Sequence, residues 1–215
     1  MRSYLLLLRF VVVNVVALAV LATLWLQGWV SLVFESDITH LTVVISAVFA
    51  VGLAIATAKV WRCSHELNAV RADQRGAETR LRWYRDLTGR AADGARAILA
   101  DCLRSRLYAR IAVVRTMANS LVVLGLIGTV VGFIIALSGV NPGSATDVGS
   151  VGTMVSRLIQ GMSVALYTTL VGAVLHIWLM MNYQVLATGT VNLANAIIET
   201  VEAPDAAGGP ALEAA

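Results

Sequence analysis

Charge is scarce in this chain of 215 residues. Asp, Glu, Lys and Arg make up 13% of it, where a soluble domain of this length carries about a quarter. Hydrophobic residues make up 58% and the mean hydropathy is +0.78. These values exclude an ordinary soluble domain and describe an integral membrane protein, with room for several spans and for no large soluble domain. Cysteine is nearly absent. Cys63 and Cys102 have no metal-site spacing, and both fall in a basic segment read below as cytoplasmic, where thiols stay reduced. No hydrolase or metal motif occurs, and there is no G-x-x-x-x-G-K-[ST] loop to couple ATP. The chain is therefore expected to be neither an enzyme nor a cofactor protein. The net charge of +3 and pI near 9.2 do not point to nucleic acid, because the positive charge is laid out as a topology signal.

Residues 10–34 are almost continuously apolar, interrupted mainly by Asn14 and Thr23, and follow Arg2 and Arg9. About 20 apolar residues span a bilayer as helix, so a first span is expected here. The alternative is a cleaved signal peptide, for which Ala17, Ala19 and Ala22 offer small residues, although the run exceeds the usual h-region of about 7–15 residues. A short acidic turn, Glu35-Ser36-Asp37, leads to a second span over about residues 40–60. Trp25 and Trp29 flank the turn and Trp61 closes the second span, as interfacial aromatics do.

From Lys59 to Arg115 the character changes. Thirteen of the sixteen Lys and Arg residues lie there, with acids interspersed and no proline. The positive-inside rule places this segment, and with it the N-terminus, in the cytoplasm. Its charge mixture suits solvated helices with i,i+4 pairs, and a helical hairpin turning near residues 89–94 is expected. The surface is either simply solvated or a docking face for a cytoplasmic partner. A third span covers about residues 118–139, the Asn141-Pro142-Gly143-Ser144 stretch breaks it, and a fourth span runs from near Arg157 to Tyr183. Residues 184–200 have helical apolar spacing and are expected to return along the cytoplasmic side, whereas 203–215 have the composition of disorder. The expected fold is thus all-α: four transmembrane helices with a cytoplasmic helical extension. It divides into 1–61, 62–117, 118–183 and 184–215.

The third and fourth spans carry the chemistry. One reads Leu124-Gly125-Leu126-Ile127-Gly128-Thr129-Val130-Val131-Gly132, the other Gly161-Met162-Ser163-Val164-Ala165-Leu166-Tyr167-Thr168-Thr169-Leu170-Val171-Gly172. At about 100° per residue, Gly125, Thr129, Gly132 and Ala136 share one side of the first, and Ala165, Thr169 and His176 share one side of the second. Glycine and alanine allow close helix packing in a membrane, which gives Gly125, Gly128, Gly132, Gly161, Ala165 and Gly172 a packing role. Threonine adds a hydroxyl without charge. A ring of them would line a narrow hydrated path, and packing alone is the competing reading.

These stretches resemble the MotA/TolQ/ExbB ion-channel family. Gly125 to Gly132 match its G-L-x-G-T-V-x-G core, and Ala165 to Gly172 match A-L-x-x-T-x-x-G, over ~60 of the 215 residues. The resemblance implies an inner wall built by five copies of this chain. It further implies that two single-span partners of the ExbD/TolR/MotB kind sit at the centre, where a partner aspartate carries a proton or sodium ion. Four spans with both ends in the cytoplasm of a bacterial inner membrane is the MotA-like layout, and removal of the first span would give the three-span layout of TolQ and ExbB. The flagellar members have a larger cytoplasmic domain than this chain. Val164 stands where TolQ and ExbB carry glutamate, and His176 and Trp178 replace the Ala and Pro of an A-I-P motif. No Asp or Glu lies within the spans as drawn, so the buried ionisable group that a proton carrier needs comes from the partner or from His176. The residues expected on the ion pathway are Thr129, Thr169, Thr168 and His176.

Overall fold

The computed structural model describes residues 5–37, 39–71, 86, 93–139 and 148–207. All five elements over these residues are helices: α1 Leu5–Leu26, α2 Trp29–Ser36, α3 Leu41–Arg71, α4 Asp93–Ser138 and α5 Val148–Ala207. Four of them are long and apolar enough to cross a membrane, in agreement with the span count expected from composition. The hairpin turn expected near 89–94, the Asn141–Ser144 break and the end of the C-terminal tail lie wholly or largely outside the described residues.

Two boundaries differ from expectation. The first apolar run is not one helix. It stops at Leu26 and restarts at Trp29 as the short α2, because Gly28 takes a left-handed φ of +77°, a conformation that glycine adopts without strain. The Gln27 and Gly28 amides close the end of α1 on the Thr23 and Trp25 carbonyls. Trp25 and Trp29 therefore bracket this glycine break, and both are exposed. At the other end of the chain, α5 does not stop near Tyr183. It runs to Ala207 without a return segment, because the spacing of its buried residues continues through Leu186, Gly189, Leu193 and Ile197.

The chain forms two compact units. One comprises Val12–Ile55 and Val114–Asn182. Within it, α4 contributes Leu121, Gly125, Gly128, Gly132 and Ala136 to the interior, and α5 contributes Gly161, Ala165, Thr168, Gly172, Leu175, Leu179 and Asn182. Alternating steps of four and three keep such residues on one seam, as in a coiled coil. The seam is antiparallel. A Cβ placed on Gly132 would lie 2.6 Å from Ala165 N and Gly161 O, and one on Gly172 would lie 2.8 Å from Leu121 O. Only hydrogen in place of a side chain permits this backbone approach. Along one flank of this seam, Phe49 of α3 packs against Trp178 of α5 with tilted rings and centroids 4.9 Å apart, and Gly52 lies under Leu179.

The other unit comprises Met1–Val11, Ala56–Val113 and Tyr183–Ala215. Its buried residues include Leu6, Val60, Leu103, Leu107, Ile111, Leu186, Leu193 and Ile197. Gly189 makes room for the Leu6 side chain. Lys59 Nζ donates to Arg110 O at 2.7 Å, and Arg104 Nη2 donates to Asn195 Oδ1 at 3.3 Å.

Candidate functional site

The α4–α5 pair gives each site residue its place. Thr168 is fully buried in the seam. It sits over Gly128, where an added Cβ would overlap its side chain, and its hydroxyl donates within α5 to Val164 O at 2.8 Å and Ala165 O at 3.2 Å. Thr169, one residue on and so about 100° around the helix, leaves the seam for its flank. Its hydroxyl lies 3.3 Å from Gly125 O across the pair and 3.1 Å from Ala165 O in its own helix. Thr129, half-buried, donates to Leu126 O at 2.6 Å.

His176 Nδ1 lies 2.8 Å from Ala118 O of α4. A carbonyl only accepts, so Nδ1 carries the proton and, in the neutral ring, Nε2 is the acceptor. His176 and Thr169 are seven residues apart on α5, and the carbonyls they reach, Ala118 and Gly125, are seven apart on α4. They therefore occupy equivalent positions one heptad apart on the same side of the seam, separated by about 10 Å along the axis. In an antiparallel pair, the same sense of rotation from the seam leads to the same flank on both helices. Thr129 lies on that flank too, one turn along α4 from Gly125, whose carbonyl Thr169 reaches. The rest of this flank is open and apolar: Leu126, Phe133, Met162 and Leu166 are all exposed. The helices α1 and α3 pack on the opposite flank, through Asn14, Phe49 and Gly52.

The three flank residues share a chemical character. Each hydroxyl has one proton and two acceptor lone pairs, and the protons of Thr129 and Thr169 are directed at backbone carbonyls. What they present outward are oxygen acceptors, and His176 presents a nitrogen acceptor. Such a row suits a cation, a hydronium ion or water donating hydrogen bonds, and disfavours an anion. No aspartate or glutamate occurs in residues 114–138 or 148–182.

One polar cluster was not expected. Asn14 Nδ2 donates to Asn182 Oδ1 at 2.7 Å, Trp178 Nε1 donates to Asn14 Oδ1 at 3.1 Å, and Asn182 Nδ2 donates to Trp178 O at 2.9 Å. Asn182 is fully buried. The cluster ties α1 to α5 among apolar surfaces, where unpaired amides are costly. The trace of it in the sequence is Asn14, a lone amide in a run of valine and leucine. Outside the spans, the Asp37 carboxylate accepts from Thr39 N, Thr39 Oγ1 and Thr42 N and caps the start of α3. Burial alone would raise its pKa, but the hydrogen bonds from Thr39 and Thr42 outweigh it and hold the group below the usual carboxylate value.

Among the described residues, no group of His, Cys, Asp and Glu side chains is arranged to hold a metal ion. No curated protein and no solved structure matches the chain. The family model described as the MotA/TolQ/ExbB proton channel family does match, over residues 76–199. That range contains both glycine–threonine helices, and members of this family work with single-span partner proteins in ion-channel complexes. With more than half its length matched and four membrane-crossing helices, this multi-pass membrane protein belongs to the MotA/TolQ/ExbB proton channel family.

Proposed function

We propose that this chain is the wall subunit of an ion-driven motor, in which five copies surround two single-span partners that each bring a transmembrane aspartate. The observation that carries the reading is the open flank of the α4–α5 pair. Thr129 and Thr169 stand there within about one helical turn of each other, with His176 one heptad beyond Thr169, and all three keep an acceptor once their protons are given to backbone carbonyls. The flank is apolar around them, as a surface facing another transmembrane helix requires. The absence of acids from these spans fits a partner that supplies the carrier group.

In this scheme a proton or sodium ion passes between the partner carboxylate and the threonine row, and the flow is converted to rotation of one assembly against the other. His176, with Nε2 free to accept, relays protons at the inner end. Thr168 supports the wall from within the seam, and the glycines hold α4 and α5 together. The ion is transported cargo; the chain has no enzymatic role and needs no cofactor. The basic excess between Lys59 and Arg115 supports a topology with both termini in the cytoplasm, and the proposed location is the inner membrane of a bacterium.

The competing reading is that the threonines only pack, and their backbone hydrogen bonds favour it. Proton flux into liposomes holding the full complex, with Thr129→Val and Thr169→Val together, separates the two. Loss of flux with an intact complex supports the pathway. Wild-type flux in the double variant removes the threonines from the path and leaves packing.

A further inference from the structure

A second site lies in the unit that holds the chain's basic segment. A cavity of about 80 Å³ opens between α3, α4 and α5. Three cationic side chains line it, Lys59, Arg62 and Arg110, and its walls include Leu107, Ile111 and Leu193. Lys59 is half-buried and directed at Arg110 O. Arg62 and Arg110 are exposed and have no ion-pair partner among the described residues. Glu66, one turn beyond Arg62, does not line the cavity.

Three like charges around one small cavity repel one another and gain from an anion between them. A water needs about 10–15 Å³ on this measure of volume, so the space accepts a group of about five heavy atoms, the size of a phosphate. Arginine presents a planar fork that matches phosphate oxygens, and lysine adds a point charge. The surroundings identify the source of that phosphate. Lys59 and Arg62 stand at the end of the apolar stretch of α3, beside Trp61, which is 67% exposed and suited to the headgroup level of a bilayer. Besides Cys63 and Thr190, the uncharged wall residues are aliphatic, Leu107, Ile111, Leu186 and Leu193, so a ligand with an apolar continuation is matched better than a free ion.

We propose that this cavity binds the phosphate headgroup of an anionic phospholipid, one per chain, at the interface where α3 leaves the membrane. The site shares no residue with the threonine flank and does not depend on the ion pathway.

The test is native mass spectrometry of the full-length protein released from bilayer nanodiscs of phosphatidylglycerol and phosphatidylcholine in equal amounts. One phosphatidylglycerol is expected to stay bound per chain. Retention is expected to fall about fivefold in Arg62→Gln and again in Arg110→Gln, a loss of roughly one interfacial charge interaction each. It is expected to hold in Arg62→Lys and in Arg115→Gln, which removes a charge outside the cavity. Equal retention of the two lipids overturns the proposal, as does an equal loss in Arg115→Gln. A parallel titration of the wild type with inorganic phosphate distinguishes the source: displacement of the lipid at low millimolar phosphate assigns the site to a soluble phosphate and overturns the lipid. Wild-type competition needs no variant, so poor folding of an arginine substitution leaves the proposal open to refutation.

Discussion

Gly132→Ala adds one methyl group at the tightest kind of place in this protein. The new Cβ lies 2.6 Å from Ala165 N and Gly161 O, where ordinary contact begins at 3.4 Å. Both obstacles are backbone atoms of α5, so no rotamer change clears them. The helices must part by about 0.8 Å, and a gap of that size forfeits a quarter to a half of each dispersion contact along the seam. Overpacking of this kind costs about 1–3 kcal/mol. Within a bilayer no hydrophobic gain offsets it, because lipid is as apolar as the seam. Alanine recovers up to about 1 kcal/mol through helix propensity; with backbone atoms as the obstacles the overpacking cost lies toward the upper end of its range, about 2–3 kcal/mol, which leaves a net loss of about 1–2 kcal/mol. Gly152, in the same helix as the obstacles, has nothing within 4 Å of an added Cβ. Gly152→Ala keeps the propensity gain alone and is expected to stabilise by about 0.5–1 kcal/mol. Reversible unfolding of the full chain in mixed micelles, driven by the mole fraction of dodecyl sulfate, measures both. If the two substitutions shift the midpoint in the same direction, the seam is not packed through its backbone and the argument fails.

Asn14→Leu removes both an acceptor for Trp178 and a donor to Asn182. It is expected to cost about 1–2 kcal/mol in the same micelle assay, and Asn182→Leu on top of it to add less than it does alone, since the first change already orphans the Asn182 Oδ1; strictly additive losses would show that the two amides are not coupled. Asp37 has a folded pKa below its ordinary value, so its contribution is complete above the ordinary carboxylate pKa and fades as pH falls through the lower folded one. Stabilities of the wild type and Asp37→Asn are expected to differ by a constant amount at neutral pH, about 0.3–1 kcal/mol for a negative charge at a helix N-terminus, since asparagine keeps the cap itself, and to converge only below about pH 4; convergence already at pH 6 contradicts the capped, ionised carboxylate. His176 is expected to be the Nδ1-protonated tautomer when neutral, because Nδ1 faces a carbonyl; nitrogen-15 shifts of labelled histidine that show a protonated Nε2 and bare Nδ1 refute the contact with Ala118.

Much of the fold was legible because its signals are local. Four runs of apolar residues mark four spans, and the glycines of α4 and α5 mark a close seam. Other features needed information that hydropathy does not hold. The run through residue 28 is equally apolar on both sides, and only the glycine itself, in its left-handed conformation, reveals the end of α1. The drop in hydropathy after Tyr183 resembles an ending, yet Leu186, Gly189, Leu193 and Ile197 keep the four-and-three spacing. Periodicity, not mean hydropathy, sets how far α5 runs. The Asn14–Asn182 pair joins residues 168 apart in the chain, and no local pattern says which of two lone amides will meet.

The neighbouring threonines show why a helical wheel of α5 alone was insufficient. A wheel groups Ala165, Thr169 and His176 but does not say where the seam is centred. That is decided by α4, whose Gly128 leaves a space that Thr168 enters. With Thr168 in the seam, Thr169 must stand at its edge, about 100° away. Close approach has a second effect there. The short separation of the two helices at Gly125 brings its carbonyl within reach of Thr169. Ala118 does the same for His176. The small residues therefore do more than allow packing: they bring carbonyls to the flank, the carbonyls take the side-chain protons, and the side chains are left as acceptors. In this pair of helices, packing determines the polarity of that face.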